Sequence, residues 1–288
     1  MGKIWNFKQE LTGAFGLPIA ENPTQYMIES AFKHHGLEWR YLSLEVAAGD
    51  LADAVKGARA MGFRGFNCTI PHKVAVIEHL DGLGESAELM GAVNCVVRRG
   101  DQLIGENTDG KGFVQSLRAL RDPEGTDVVI MGAGGAARAI SVEMALAGAK
   151  RITIVNRSEA RGKTLVSLLR DRVKVDTQWV HWEGDFEIPV TADVLINATS
   201  IGLFPDVDAR VPVKEEGLRA GLVVADVIPN PPNTRLVRAA RSAGCQVIDG
   251  KGMLVNQGVL GFKYWTGVDP DPSVMHAALA EVFEGASR

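Results

Sequence analysis

The chain has 288 residues, 46% of them hydrophobic and 23% charged, with a formal net charge of -4 and a pI near 5.9. That length supports a sizeable core and two domains, and the mildly acidic balance offers no electrostatic footprint for nucleic acid or an anionic membrane surface. Three scattered cysteines (Cys68, Cys95, Cys245) with no C-x-x-C spacing suit a reducing compartment rather than a disulfide framework, and no histidine pair joins an acid at metal-ligand spacing, so no metal is expected.

The opening MGKIWNFKQE lacks the apolar stretch of a signal peptide, and Asn6 stands where a myristoylation signal carries Ser or Thr. No apolar run is long enough for a bilayer, so a cytoplasmic protein is expected. ELTGAFGLPI, WRYLSLEV and GFRGFNCTI then read as strands. QYMIESAFKHHG and DLADAVKGARAMG between them read as helices closed by Gly36 and Gly62. NCVVRRGDQLIGENT reads as a hairpin turned at Gly100-Asp101. After the turn cluster DPEG a second alternating series begins, with strands DVVIMG, RITIVN, VLINAT, LVVADVI and CQVIDG, and WVHWEG as a weaker one. Helical patterns close the chain. The expectation is an α/β protein of two domains with a cleft between them. Residues 1–111, completed by 252–288, form the first, and residues 112–251 a Rossmann-like second.

VVIMGAGGAARAI places Gly132, Gly134 and Gly135 directly after an apolar strand and at the start of a helix. Glycines there allow a tight turn and the close approach of a pyrophosphate to helix N-terminal N–H groups, with Ala137 at the third fingerprint position. The loop Gly132-Ala133-Gly134-Gly135-Ala136 is therefore the candidate dinucleotide site. The next strand ends without the acid that would hold an NAD ribose. Asn156, Arg157, Ser158 and Arg161 stand there instead, which suits the 2′-phosphate of NADP. The plainer reading makes Arg157 and Arg161 a solvated helix start.

Taken with these, GLPIA, NCTIPHK, GAVN, NTDG, GAGGAARA, NRSEAR, INATSIG and GKGMLVNQG follow one another along nearly the whole chain in an order that resembles the shikimate dehydrogenase family. The resemblance implies an NADP-dependent enzyme that interconverts 3-dehydroshikimate and shikimate by hydride transfer, in chorismate and aromatic amino acid biosynthesis. It implies Lys73 and Asp109 as the catalytic pair, and Asn22, Thr24, Asn67, Thr69, Asn94 and Gln257 as substrate-binding residues. Thr199, Val227 and Gly250 join the cofactor residues through the same likeness. Read without it, Asn67 and Asn94 are strand-end residues bonding the backbone, and Thr199 is part of a turn. A small-molecule substrate and a monomer or homodimer are expected.

The chain also departs from that family. GLPIAENPTQY carries Glu21, Asn22 and Thr24 where the family has a histidine and a pair of Ser or Thr hydroxyls that grip the substrate carboxylate. Pro229 takes the place of a tyrosine, and Val227 that of a larger side chain. Quinate or an amino analogue of shikimate are alternative substrates, a catalytically weak NADP-binding sensor is an alternative function, and a folate-linked dehydrogenase is a more distant one.

Overall fold

The computed structural model describes residues 7–285, and the stretch Met1–Asn6, on which the leader and myristoylation readings rest, lies outside the described residues. The chain divides into two compact units, one taking in the chain up to Asn107 together with Gly258 onward, the other Thr108–Gln257.

The first unit runs β1 (Glu10–Gly16), α1 (Thr24–His34), β2 (Trp39–Glu45), α2 (Leu51–Ala60), β3 (Gly65–Cys68), α3 (His72–Ala75), β4 (Gly82–Leu83), α4 (Glu85–Met90), β5 (Cys95–Arg99) and β6 (Gln102–Glu106). Its sheet order is β2-β1-β3-β5-β6-β4. β1 is parallel to β2 and β3, while β5 is antiparallel to β3 and β6. Thr12 to Gly16 of β1 are all buried, as a parallel strand covered on both faces requires. Gly36 and Gly62 follow α1 and α2 with φ of 64° and 76°, the left-handed conformation that ends a helix where glycine bears no Cβ penalty. Gly100 turns the hairpin between β5 and β6 in the same conformation. Phe15 and Phe66 stack at 4.4 Å between ring centroids within a core that includes Leu51, Val55, Phe63, Val96 and Leu103. The absence of a Cβ at Gly65 leaves room for the indole of Trp265, whose Nε1 donates to Val96 O at 3.0 Å.

The second unit holds α5 (Asp109–Arg118), β7 (Asp127–Met131), α6 (Gly135–Leu146), β8 (Arg151–Asn156), α7 (Glu159–Leu168), β9 (Asp176–His181), β10 (Val194–Asn197), β11 (Val223–Asp226), α8 (Arg235–Ser242) and β12 (Gln246–Ile248). Then α9 (Gly250–Thr266) carries the chain back into the first unit, where α10 (Pro272–Gly285) packs on α1. The sheet order is β12-β11-β10-β7-β8-β9, and every pairing is parallel. The weaker WVHWEG signal falls on β9, the edge strand. Strands β10 and β11 are buried at every position, so up to the polar Asn197 and Asp226 at their ends they read as continuous apolar runs rather than alternating ones. From β7 the chain adds strands first on one side and then on the other. This is the doubly wound order, and its reversal opens a crevice beyond the carboxyl end of β7. Among the described residues no helix is long and apolar enough to cross a membrane.

Candidate active site

In the second unit the glycine turn falls at that reversal point. Gly132 has a φ of 111°, and a Cβ there would lie 2.9 Å from Ala198 O and 3.1 Å from Thr199 Cγ2. Glycine is thus required both by conformation and by space. Gly134 and Gly135 face open space, with nothing within 4 Å of an added Cβ. Gly134 caps α6 without a side chain, and the first turn of α6 holds no acid. The first N–H groups of this helix therefore remain available to an anion, with the helix dipole in its favour.

At the end of β8, Asn156 Nδ2 donates to Ser158 O at 2.8 Å, and Ser158 Oγ accepts the Arg161 N–H as the cap of α7. Two of the four residues expected at the 2′-phosphate thus already hold the loop together. Arg157 and Arg161 stand exposed. An open cradle, a free helix N-terminus and two guanidinium groups with no acid at the strand end fit an NADP.

Thr199 Oγ1 donates to Asn197 Oδ1 at 2.6 Å and accepts from Ile201 N at 3.1 Å, so it first builds the turn after β10. Behind it is a buried network that the sequence did not flag. Asn197 Nδ2 donates to Asp226 Oδ1 at 3.0 Å, and Thr234 Oγ1 donates to Asp226 Oδ2 at 2.7 Å. Burial raises the Asp226 carboxyl above the usual range, and its hydrogen bonds to Thr234, the Ile228 N–H and Asn197 oppose that shift. The network fixes the loops after β10 and β11, and so the backbone at Thr199 and Val227. The signal for part of it was Thr234 three residues before Val237, a helix-cap spacing: its hydroxyl accepts Val237 N at 3.2 Å. Gly250 begins α9 against the carbonyl of Ile228, where a Cβ would overlap the backbone.

In the first unit four of the expected substrate and catalytic residues share one hydrogen-bonded corner beyond β3. Cys68 N donates to Asn94 O at 2.9 Å, and Val93 N donates to Lys73 O at 2.7 Å. Asn67 Nδ2 also donates to Asn94 O at 2.9 Å, while Tyr41 Oη donates to Asn67 Oδ1 at 2.6 Å. Thr69 N reaches Phe15 O at 3.0 Å. Leu17 N donates to Ile70 O at 2.9 Å, which brings the loop after β1 beside Thr69. Thr24 is buried at the start of α1, Asn22 Oδ1 accepts Thr24 N at 3.0 Å, and Glu21 is exposed. Tyr41 was not singled out by the sequence. It is fully buried, and its phenol is pushed well above its ordinary value by burial and by the neighbouring Cys95 and Cys68.

Lys73 is half-buried on α3, and its charge partly counters the burial that pushes the Cys68 thiol up to about 12. His72 beside it is buried, with Nε2 2.8 Å from Val46 O. Asp109 and Gln257 belong to the second unit. Asp109 opens α5, and α5 lies on α9 through Gly112, whose added Cβ would come within 2.7 Å of Gln257 N. Gln257 Nε2 donates to Leu254 O at 3.0 Å within its own helix.

A doubly wound domain with an open glycine turn and a basic strand end defines a dinucleotide-binding oxidoreductase fold. Comparison with known proteins narrows this. Family models described as shikimate dehydrogenase substrate binding domain, shikimate / quinate 5-dehydrogenase and shikimate 5'-dehydrogenase C-terminal domain match residues 14–96, 116–204 and 250–280. A shikimate dehydrogenase (NADP(+)) of Methanopyrus kandleri is 42% identical over 276 residues, covering 94% of this chain and 95% of its own. The ligand-free crystal structure of a 5-ketofructose reductase of Gluconobacter sp. strain CHM43 superposes with a TM-score of 0.95 at 53% identity, covering 96% of this chain and 100% of that one. A shikimate dehydrogenase solved in complex with NADP+ gives 0.87 at 34% identity, covering 98% and 99%. The chain belongs to the shikimate dehydrogenase family and is an oxidoreductase.

Proposed function

We propose that this chain is an NADP-dependent enzyme interconverting a secondary hydroxyl and a ketone on a polyhydroxylated carbon frame, the reaction that joins shikimate to 3-dehydroshikimate. NADP supplies or takes the hydride. Lys73 moves the proton at the reacting oxygen, giving it to the nascent alkoxide in reduction and accepting it in oxidation. Asp109 shares in that proton movement. Asn22, Thr24, Asn67, Thr69, Asn94 and Gln257 bind the substrate's hydroxyl groups and any carboxylate. The observation that carries the reading is the glycine turn at the reversal point, in a chain that retains the lysine of NCTIPHK and the aspartate of NTDG. A cytoplasmic location suits three cysteines that form no disulfide, and a monomer or homodimer is the working unit.

A second reading of the substrate rests on the loop after β1 and on the 5-ketofructose reductase likeness. The Asn22 side-chain oxygen is engaged with Thr24 N, so the loop offers the Asn22 amide N–H and a single hydroxyl, Thr24, where the family has two hydroxyls. A site built this way holds a carboxylate weakly and favours a neutral polyhydroxyketone such as 5-ketofructose. The test is NADPH consumption with 3-dehydroshikimate and with 5-ketofructose, and NADPH formation with shikimate and quinate, each repeated with NAD. Turnover on 3-dehydroshikimate and shikimate alone returns the substrate to that of the curated relatives. Turnover on 5-ketofructose alone establishes the neutral class. Tight NADP binding with no turnover on any of them would place the substrate outside both classes.

A further inference from the structure

Between α6 and α7, beside the glycine turn, lies a cavity of about 240 Å³ lined by Ala133, Arg138, Ala160, Arg161, Thr164 and Leu165. Two of these side chains are guanidinium groups and none is acidic. Arg138 lies one turn into α6, and its Nε is fully enclosed yet has no hydrogen-bond partner. Burial lowers the pKa of this guanidinium, and the like charge of Arg172, just past α7, lowers it further. An enclosed cationic N–H without an acceptor is costly, and buried polar atoms in native proteins are almost always paired. The chain supplies no counter-charge among the residues lining this cavity. An anionic ligand in the cavity would supply it to the guanidinium groups that line the cavity.

We propose that Arg138 is a phosphate-binding residue which, with Arg161, holds the 2′-phosphate of NADP in this cavity. The assignment rests on the NADP reading above and adds a residue to it. Three observations direct it to that phosphate. The cavity is bounded by Ala133 of the glycine loop and by Arg161 in the first turn of α7, the two segments between which the adenosine ribose belongs in this fold. The pyrophosphate is already provided for by the uncapped N-terminus of α6. Of the residues at the end of β8, Asn156 and Ser158 spend their side chains on the loop, while Arg157 and Arg161 are exposed. Exposed guanidinium groups are screened by water and salt, whereas a half-buried one interacts in a lower dielectric. Arg138 therefore carries more of the discrimination between NADP and NAD than its exposed neighbours.

The test is calorimetric titration of the full chain with 2′,5′-ADP, 5′-AMP, NADP and NAD, using wild type, Arg138→Met and Arg138→Lys. Arg138→Met is expected to weaken 2′,5′-ADP and NADP by about tenfold or more, the scale of one charge-assisted hydrogen bond, and to leave 5′-AMP and NAD within about threefold. Arg138→Lys is expected to recover part of the loss. Because the enclosed Nε has no protein partner, the ligand-free melting temperature of Arg138→Met should stay level or rise. Unchanged 2′,5′-ADP affinity, or equal loss for 5′-AMP, overturns the assignment. So does a fall in ligand-free melting temperature with no change in nucleotide selectivity, which marks a structural arginine. Wild type that binds NAD and NADP alike fails the NADP reading itself. A selective wild type whose Arg138→Met variant is equally selective overturns only the role of Arg138.

Discussion

Tyr41 on β2 donates its phenolic hydrogen to Asn67 Oδ1 on β3 across 2.6 Å, and Asn67 hands its amide on to Asn94 O at 2.9 Å. The phenol is fully buried, so the hydrogen bond cannot be replaced by water when it is removed. Tyr41→Phe strands the Asn67 oxygen and is expected to cost about 1–3 kcal/mol of stability by urea denaturation. With the Asn67 side chain held through its amide N–H to Asn94 O alone, KM should rise more than kcat falls. A loss of stability with unchanged KM would show that this pair supports the sheet and not the substrate.

Lys73 has its backbone fixed by Val93 N at 2.7 Å, while its side chain is half-buried. Lys73→Ala therefore removes the amine with the corner behind it intact. Turnover should fall by about 10²–10⁴, the usual worth of a positioned proton-transfer group. NADP affinity should hold, since no residue of the glycine turn or of the β8 end is altered. Parallel loss of turnover and NADP affinity would mark the lysine as structural.

The two loop glycines should separate fold from cofactor. Gly132→Ala forces a Cβ into the left-handed region at φ 111° and to 2.9 Å from Ala198 O, so the ligand-free protein should lose more than about 1 kcal/mol. Gly134 has φ -88° and ψ -168° and faces open space, so Gly134→Ala should melt within about 0.5 kcal/mol of wild type. Its added methyl would stand where a pyrophosphate must approach, so NADP should bind at least about tenfold more weakly. Unimpaired binding by Gly134→Ala would move the dinucleotide away from this loop.

The Cys68 thiol, raised from 9.0 to about 12 by burial, makes an alkaline prediction. Its folded pKa lies above its unfolded one, so its contribution is fully present below pH 9 and is lost as the pH rises toward 12. At pH 10.5 the expected loss is about 2 kcal/mol relative to pH 8. Cys68→Ala, less stable at every pH for its missing volume, should lack this extra slope. Urea midpoints for both proteins at pH 8, 9.5 and 10.5 measure it, and identical slopes would refute the assignment to Cys68.

What was legible in the chain was what local pattern encodes. Apolar runs such as VVIM and VLIN announced β7 and β10, and glycine after the helical stretches marked the ends of α1 and α2. The two-residue β4 was too short to leave a periodic trace. The polar networks were invisible because they join residues far apart: Tyr41 to Asn67 spans 26 positions, and Asn197 to Asp226 spans 29. Arg138 was not singled out in the sequence, and only the packing of α6 on the turn at Leu169–Val173 beyond α7 shows its enclosed Nε. The roles of Asn22 and Thr24 came from resemblance alone, since neither a turn asparagine nor a helix-start threonine carries a substrate signal of its own.

Thr24 decides how the substrate is held. It is buried at the first position of α1, its N–H is taken by Asn22 Oδ1, and its hydroxyl is the one remaining in the loop where the family has two. Thr24→Val keeps the shape and removes that hydroxyl, so stability should change little. If the loop grips the substrate, KM should rise by about tenfold, the worth of one hydrogen bond to a substrate group, with kcat nearly kept. The size of the effect on each acid and each neutral ketone then reports the substrate's charge. A hydrogen bond to a carboxylate is roughly twice as strong as one between neutral groups, so shikimate should lose more than 5-ketofructose if the loop still holds carboxylates. Equal losses would mean that Thr24 binds a hydroxyl common to both. An unaltered KM for every substrate would place recognition at Asn67, Thr69 and Asn94 and leave the loop a helix start only.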